Sequence, residues 1–280
     1  MWDYNSEMST GPLIAVDIGN SSTKLGWFDC SSAGASPSPL PNPSFTVDYP
    51  TGQSPPAETL DHLPPSPARW RVASVQREGQ RLLAEWVRTH RPQDDFRVLA
   101  DTDLPLEVRV DFPERVGVDR LAAAVAAGAI RQPGRPAIVV DAGSAVTVDL
   151  VGSDGAFEGG VIVAGFRMQA EALFGTADLL PLALLAPQDD PPPVLGKNTE
   201  AAIRSGLFWG AVGAVRELVE RLSAELPARP HVFITGGDLA RLAPLVGDEA
   251  QFIPNMVLAG IAIADLRPRC VDGLTTPGNG

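Results

Sequence analysis

Between Leu13 and Lys24 the chain reads LIAVDIGNSSTK: an apolar run closed by Asp17, then Gly19, Asn20, Ser21, Ser22, Thr23 and Lys24. A plain β-turn needs the glycine and at most the asparagine. Small hydroxyl and amide side chains, a glycine turn with free N–H groups and one lysine together make a cradle for an anion. A carboxylate at a strand end, as Asp17 is, can hold a metal or a metal-bound water. The pattern returns 124 residues on, where PAIVVDAGSAVTVDLVG places Asp141 after an apolar run, with Gly143 and Ser144 behind it. The chain thus carries a short internal duplication of a strand–turn–strand unit. A third glycine turn, Gly236 and Gly237 in ITGGDL, also follows an apolar strand and can bring backbone close to a flat or phosphorylated ligand.

The elements that position these turns follow from periodicity. FTVDY, RWRVASV and FRVLAD read as strands, and EGQRLLAEWVRTHR as a helix with Leu82, Leu83, Trp86 and Val87 on one face. GVDRLAAAVAAGAI predicts a helix so uniformly small and apolar that it is buried nearly all round. GAFEGGVIVAGF reads as a strand pair around its Gly-Gly, followed by helical character from Met168 to Leu173 and a proline loop. NTEAAIRSGLFWGAVGAVRELVERLSAEL is a long helix with Asn198 or Thr199 as N-cap. HVFITGGDLARLAPLV reads as strand, turn and helix, and NMVLAGIAIADL as a closing helix. Ten of the 27 prolines lie between Pro37 and Pro67, which marks that stretch as surface loop with one or two embedded strands. An α/β chain of two related units with mixed sheets accounts for this order.

Composition narrows the function. The 280 residues suffice for one large or two ordinary domains. A net charge of −12 lacks the basic footprint of a nucleic-acid surface, although a local cradle for a small anion survives in an acidic protein. Cys30 and Cys270 are far apart, and His62, His90 and His231 are scattered, so neither a disulfide framework nor a zinc spacing is expected. The start, MWDYNSEMSTGPL, does not read as a secretory signal, and the longest charge-free apolar stretch, FIPNMVLAGIAIA, is too short to span a bilayer. The expectation is a cytoplasmic protein with a flexible extension over 1–11.

Two such hairpins plus a Gly-Gly turn resemble the plan of the acetate kinase–hexokinase–actin superfamily. That resemblance implies two actin/ribonuclease H-like domains, here 12–116 and 117–280, with an ATP cleft between them. DIGNSSTK, GVDR, DAGSAVTVD, GGVIVAG, LGKNTEAAIRSG and TGG, in this order and spacing, are similar to the type III pantothenate kinases over nearly the whole chain. The resemblance implies ATP-dependent phosphorylation of pantothenate to phosphopantothenate, the first step toward coenzyme A, by a homodimer that needs Mg²⁺ and K⁺ or NH₄⁺. It implies that Asp17 to Lys24, Ser144, Gly236 and Gly237 meet ATP, with Asp17 toward Mg²⁺. It also implies that Asp141 holds the monovalent cation and that Val110, Gly117, Val118, Asp119, Arg120 and Thr199 line the pantothenate site. Asp119 would be the general base. Ser144 stands where the family has threonine, Ala164 where it has proline and Val110 where it has an aromatic residue, generally tyrosine.

Simpler roles exist for several of these residues. Asp119 and Thr199 could be helix N-caps. Arg120 could pair with Glu114 or Asp111 rather than with a substrate carboxylate or phosphoryl oxygen, and Lys24 could point to solvent. At a helix N-terminus Asp119 is expected to stay ionised, and the Ala-rich helix behind it suits close helix packing. Two rival functions remain: a superfamily phosphotransferase for another small alcohol or for polyphosphate, and a non-catalytic regulator akin to the Bvg accessory factors.

Overall fold

The computed structural model describes residues 11–29, 40–186, 189–237 and 243–266. Cys30, Cys270 and the N-terminal extension up to residue 10 fall outside them. Ten strands and seven α-helices alternate: β1 (Leu13–Ile18), β2 (Ser22–Phe28), β3 (Phe45–Pro50), α1 (Thr59–His62), β4 (Arg69–Ser74), α2 (Arg77–His90), β5 (Asp95–Val98), α3 (Val118–Ile130), β6 (Ala137–Ala142), β7 (Ala145–Val151), β8 (Phe157–Ala164), α4 (Phe166–Thr176), α5 (Thr199–Ala224), β9 (His231–Thr235), α6 (Ala243–Val246), β10 (Ala250–Phe252) and α7 (Met256–Leu266).

The duplication glimpsed in the two hairpins extends to whole sheets. The first has strand order β3-β2-β1-β4-β5, and the second β10-β9-β6-β7-β8. Each contains an antiparallel meander of three strands followed by two parallel additions, the mixed arrangement expected from the sequence. Ala137 to Val140 are buried as completely as Leu13 to Val16, because both central strands have apolar layers on each side.

Helix α2 packs outside the first sheet, where Leu83, Trp86 and Val87 meet Ile14, Val16 and Trp70. The outer face of the second sheet is covered by α4, α5 and α6 through residues such as Phe166, Phe208 and Val246. Between the sheets lie α3 and α7. Their residues share one core with Leu13, Ala15 and Ala73 of the first sheet and with Ala137, Val139 and Phe233 of the second. Residues Leu121 through Ala127 are all buried, as the uniformly apolar sequence requires. That burial is against α7 and the sheets of the same chain, the close helix packing that its small residues suit.

The α3–α7 contact depends on Gly260. A Cβ there would overlap the carbonyl of Ala122. Asp265, near the end of α7, is tied to β4 by Arg69 and by the Arg71 Nε at 2.6 Å. Forcing the helices apart costs roughly 1–3 kcal/mol, as overpacking does elsewhere. Gly260→Ala is therefore expected to lower the urea midpoint. Gly213→Ala, at an exposed α5 position where the added methyl meets nothing, should raise it by about 0.5–1 kcal/mol equivalent. Equal effects from the two would remove this account of the helix contact.

Two sequence expectations change. GAFEGGVIVAGF is one strand, β8, paired along β7, with a register irregularity at Leu150/Val151 that leaves Glu158 without a facing residue, next to Gly159 at φ 108°. The helix expected after Gly237 is described only from Ala243 onward. The proline-rich stretch yields one strand, β3, and the short α1 among its described residues.

Candidate active site

The first hairpin sets Asp17 of β1 directly opposite Lys24 of β2, and Lys24 opposite Asp48 of β3, with Nζ 3.8 Å from the Asp48 carboxylate. Lys24 is thus drawn between two carboxylates, not released to solvent. The turn is closed by Gly19 N–H donating to the Ser22 carbonyl at 3.0 Å. Thr51, which the sequence did not single out, braces it from the next turn. Its hydroxyl donates to the Gly19 carbonyl at 2.9 Å and lies 3.0 Å from the Thr23 hydroxyl, while its N–H donates to Ser21. The buried Thr23 hydroxyl is therefore engaged within the fold, whereas Asn20, Ser21 and Ser22 remain exposed.

The second hairpin is one residue tighter. Asp141 faces Thr147, and three residues separate Ala142 from Val146, against four between Ile18 and Thr23. The two turns meet: the Ser144 hydroxyl donates to that of Ser21 at 2.7 Å. Gly236, at φ 99°, lies so close to the end of β6 that a Cβ would collide with the Ala142 carbonyl. Only glycine accepts both that conformation and that contact, so the Gly-Gly turn sits beside the second hairpin.

Helix α3 enters the same region. Its N-cap is Gly117, where a Cβ would overlap the Asp119 carboxylate and approach Val75 just past β4, and Asp119 lies in the first turn. The N-cap role for Asp119 is thereby excluded; its Oδ1 instead accepts the Arg120 N–H at 2.8 Å. Burial raises the Asp119 carboxyl above the usual range, and the Arg120 hydrogen bond and charge oppose this only in part. The helix terminus favours the ionised form, and burial works against it.

Asp17 and Asp141 behave likewise. Both are only partly exposed at the surface and enclosed by protein on nearly all sides. Burial raises Asp17 well above its ordinary value, and the charges of Asp119 and Asp141 push it further. Asp141 is raised to about 7, first by burial and then by Asp119, with Lys24 opposing. Asp119 raises both Asp17 and Asp141, Asp141 raises Asp17, and Lys24 pulls Asp17 and Asp141 back, so the three carboxylates form a cluster with surplus negative charge. Such a donor set fits bound cations. Among the described residues no group of three or more His, Cys, Asp or Glu is placed to hold a metal ion.

Arg120 pairs with neither Glu114 nor Asp111. Glu114 faces Arg115 at 3.7 Å, and Arg120 binds Asp149 of β7. Asn198 caps α5 by accepting the Ala201 N–H at 2.8 Å, so Thr199 is the first helical residue, exposed and not an N-cap. Val110 lies beside Gly159 of β8, along a short segment joined to Phe157 by the Arg109 N–H at 2.8 Å. Val118 packs on the edge of the core between the sheets.

The sequence profile of the type III pantothenate kinases matches residues 13–221, a stretch that holds both hairpins and the α3 terminus. The chain belongs to this family. Type III pantothenate kinases of Dinoroseobacter shibae and Gluconobacter oxydans are 44% identical over 154 residues and 39% identical over 192. These alignments cover 55% and 66% of this chain and 57% and 66% of those relatives, so the chain spans about half to two thirds of the curated relatives it matches. A solved structure described as a Baf family transcriptional activator from Campylobacter jejuni superposes with a TM-score of 0.51 at 19% identity, covering 90% of this chain and 96% of that one. That likeness shows a shared fold.

Proposed function

We propose that this type III pantothenate kinase family member transfers the γ-phosphoryl group of ATP to the primary hydroxyl of pantothenate, toward coenzyme A. The observation that carries the reading is the tip-to-tip contact of the two hairpins, Ser21 to Ser144, beside the Asp17–Asp119–Asp141 cluster. Phosphoryl transfer needs positioning, charge neutralisation and a base for the attacking hydroxyl, not a nucleophilic side chain.

In this reading the turn from Gly19 to Ser22, Lys24, Ser144 and the Gly236–Gly237 turn receive ATP. Asp119 accepts the hydroxyl proton as the oxygen attacks. Its raised pKa suits this, because a base is most effective when its pKa lies near the working pH. Asp17 would hold Mg²⁺, directly or through water, and Asp141 a K⁺ or NH₄⁺ ion, which together supply positive charge to the phosphates. Gly117, Val118 and Val110 shape the pantothenate pocket, Arg120 offers its guanidinium to the substrate anion, and Thr199 contributes at the mouth.

Further proposals accompany this one. The chain divides near residue 116, acts in the cytoplasm and forms a homodimer. Exposed apolar residues such as Ile162, Phe174, Leu179 and Leu195 would be available to contact a second copy. No described helix is long and apolar enough to cross a membrane.

ADP release with Mg²⁺, K⁺ and a panel of small alcohols tests the activity, with pantothenate expected to turn over fastest. Val110→Tyr is expected to restore a wall and one hydrogen bond, tightening KM for pantothenate about three- to tenfold with kcat little changed. If the pocket is shaped for another alcohol, the tyrosine will instead block that substrate and leave pantothenate poor.

A further inference from the structure

Arg120 is held more tightly than a substrate-seeking arginine needs to be. Its Nε lies 3.1 Å from both carboxylate oxygens of Asp149, and its Nη2 donates to Oδ1. The Asp149 side chain is 2% exposed and that of Arg120 15%. Phe157 lies under the guanidinium, its ring centre 5.5 Å from Cζ. Gly160 stands opposite Asp149 in the β7–β8 register, and any Cβ there would overlap Asp149 Oδ1 and the Val148 carbonyl oxygen. The Gly-Gly of β8 thus makes the space in which this carboxylate fits. A buried charge inside an apolar strand is costly unless paired in this way.

We propose that Asp149 is a positioning residue for Arg120: it clamps the guanidinium by its Nε–Nη2 side, so that the opposite, Nη1-bearing edge is presented to the anionic substrate beside Asp119. The proposal rests on the kinase reading above. The backbone reinforces it, because the Arg120 N–H also holds the carboxylate of Asp119. Base and guanidinium are therefore set by one helical turn, and Asp149 fixes the second of them. Paired in this way, Arg120 adds little net charge. Recognition then comes from directed hydrogen bonds, which suit the planar fork of arginine and not the point charge of lysine.

The test is a double-mutant cycle with Asp149→Asn and Arg120→Ala, with kcat and KM measured for pantothenate and ATP separately. Asp149→Asn is expected to raise KM for pantothenate roughly ten- to a hundredfold, the scale of a hydrogen bond to a charged group, with KM for ATP within about twofold. The double variant should be no worse than Arg120→Ala alone, because the two residues act as one unit. Multiplying losses, or parallel loss of ATP affinity, would overturn the proposal. The Arg120 Nε–H signal in nitrogen-15 NMR of the full chain should exchange slowly in wild type and be lost to exchange in Asp149→Asn; persistence in the variant would equally overturn it. The NMR arm needs no substrate, so a wild type inert toward pantothenate would sink the kinase reading and leave the clamp to be judged separately. Should Asp149→Asn fail to fold, Arg120→Lys decides: a KM for pantothenate raised as in Arg120→Ala supports the clamp, and a wild-type KM contradicts it.

Discussion

Asp119→Asn is expected to lower kcat by about 10²–10⁴, the usual scale for losing a general base, while ATP affinity stays within about twofold. The amide keeps the shape of the side chain and its acceptor for the Arg120 N–H, but cannot take the hydroxyl proton. A pH dependence accompanies the loss. As the proposed base, Asp119 works only when deprotonated, and burial raises its pKa. In wild type kcat/KM should therefore climb with pH through a limb above the ordinary carboxylate range; in Asp119→Asn that limb should disappear. Near-full activity in the variant, or an unchanged limb, removes Asp119 from the chemistry.

The second large effect concerns Asp141 and runs opposite to a simple loss of function. Its carboxyl is raised to about 7 in the folded chain, against about 3.9 in an unfolded one. Between those values the folded state keeps a proton that the unfolded state has released, so stability falls as pH rises through that window and levels off above it. The shift corresponds to about 4 kcal/mol at most, less after local relaxation. Asp17 is shifted in the same sense. Without metal or nucleotide, Asp141→Asn should match wild type near pH 4, become progressively more stable toward pH 7 and hold that advantage above. Potassium should recover stability in wild type more than in the variant, by mass action on the folded state. At constant ionic strength it should also activate wild type more than sodium does. Parallel stability curves at all pH values would show that Asp141 is not buried against its neighbours' charge.

The sequence made the duplicated hairpins legible because each has strong local signals: a complete apolar run, an aspartate at its end, a glycine turn and a return strand. Repetition then implied two sheets of one plan, and ten strands in matching order followed. The buried character of α3 was equally readable from seven successive small or apolar residues. Its partner was not. That α7, at the far end of the chain, returns to the first sheet depends on Gly260 meeting Ala122, a contact without local signature.

Asp149 was missed for a related reason. In VTVDLV it looks like one more polar residue of an alternating strand, yet Val148 and Val151 beside it are fully buried. A charge in so apolar a strand is the signal that could have exposed it. Its partner Arg120, 29 positions earlier, and the space at Gly160 both require the fold. Thr51 escaped notice because it lies in the proline-rich stretch, where composition reads only as loop. The fate of the Asp119 carboxyl depends on depth, which a helix-terminus argument does not contain.

Product identification addresses the proposed reaction most directly. Wild type and Asp119→Asn are incubated with ATP, Mg²⁺, K⁺ and an equimolar mixture of pantothenate and other small hydroxy acids, and the products are read by phosphorus NMR and mass spectrometry. The account predicts one dominant product from wild type, pantothenate phosphorylated on its primary hydroxyl, and almost none from the variant. Phosphorylation of a different alcohol with pantothenate untouched, or the same product at the same rate from Asp119→Asn, would contradict it.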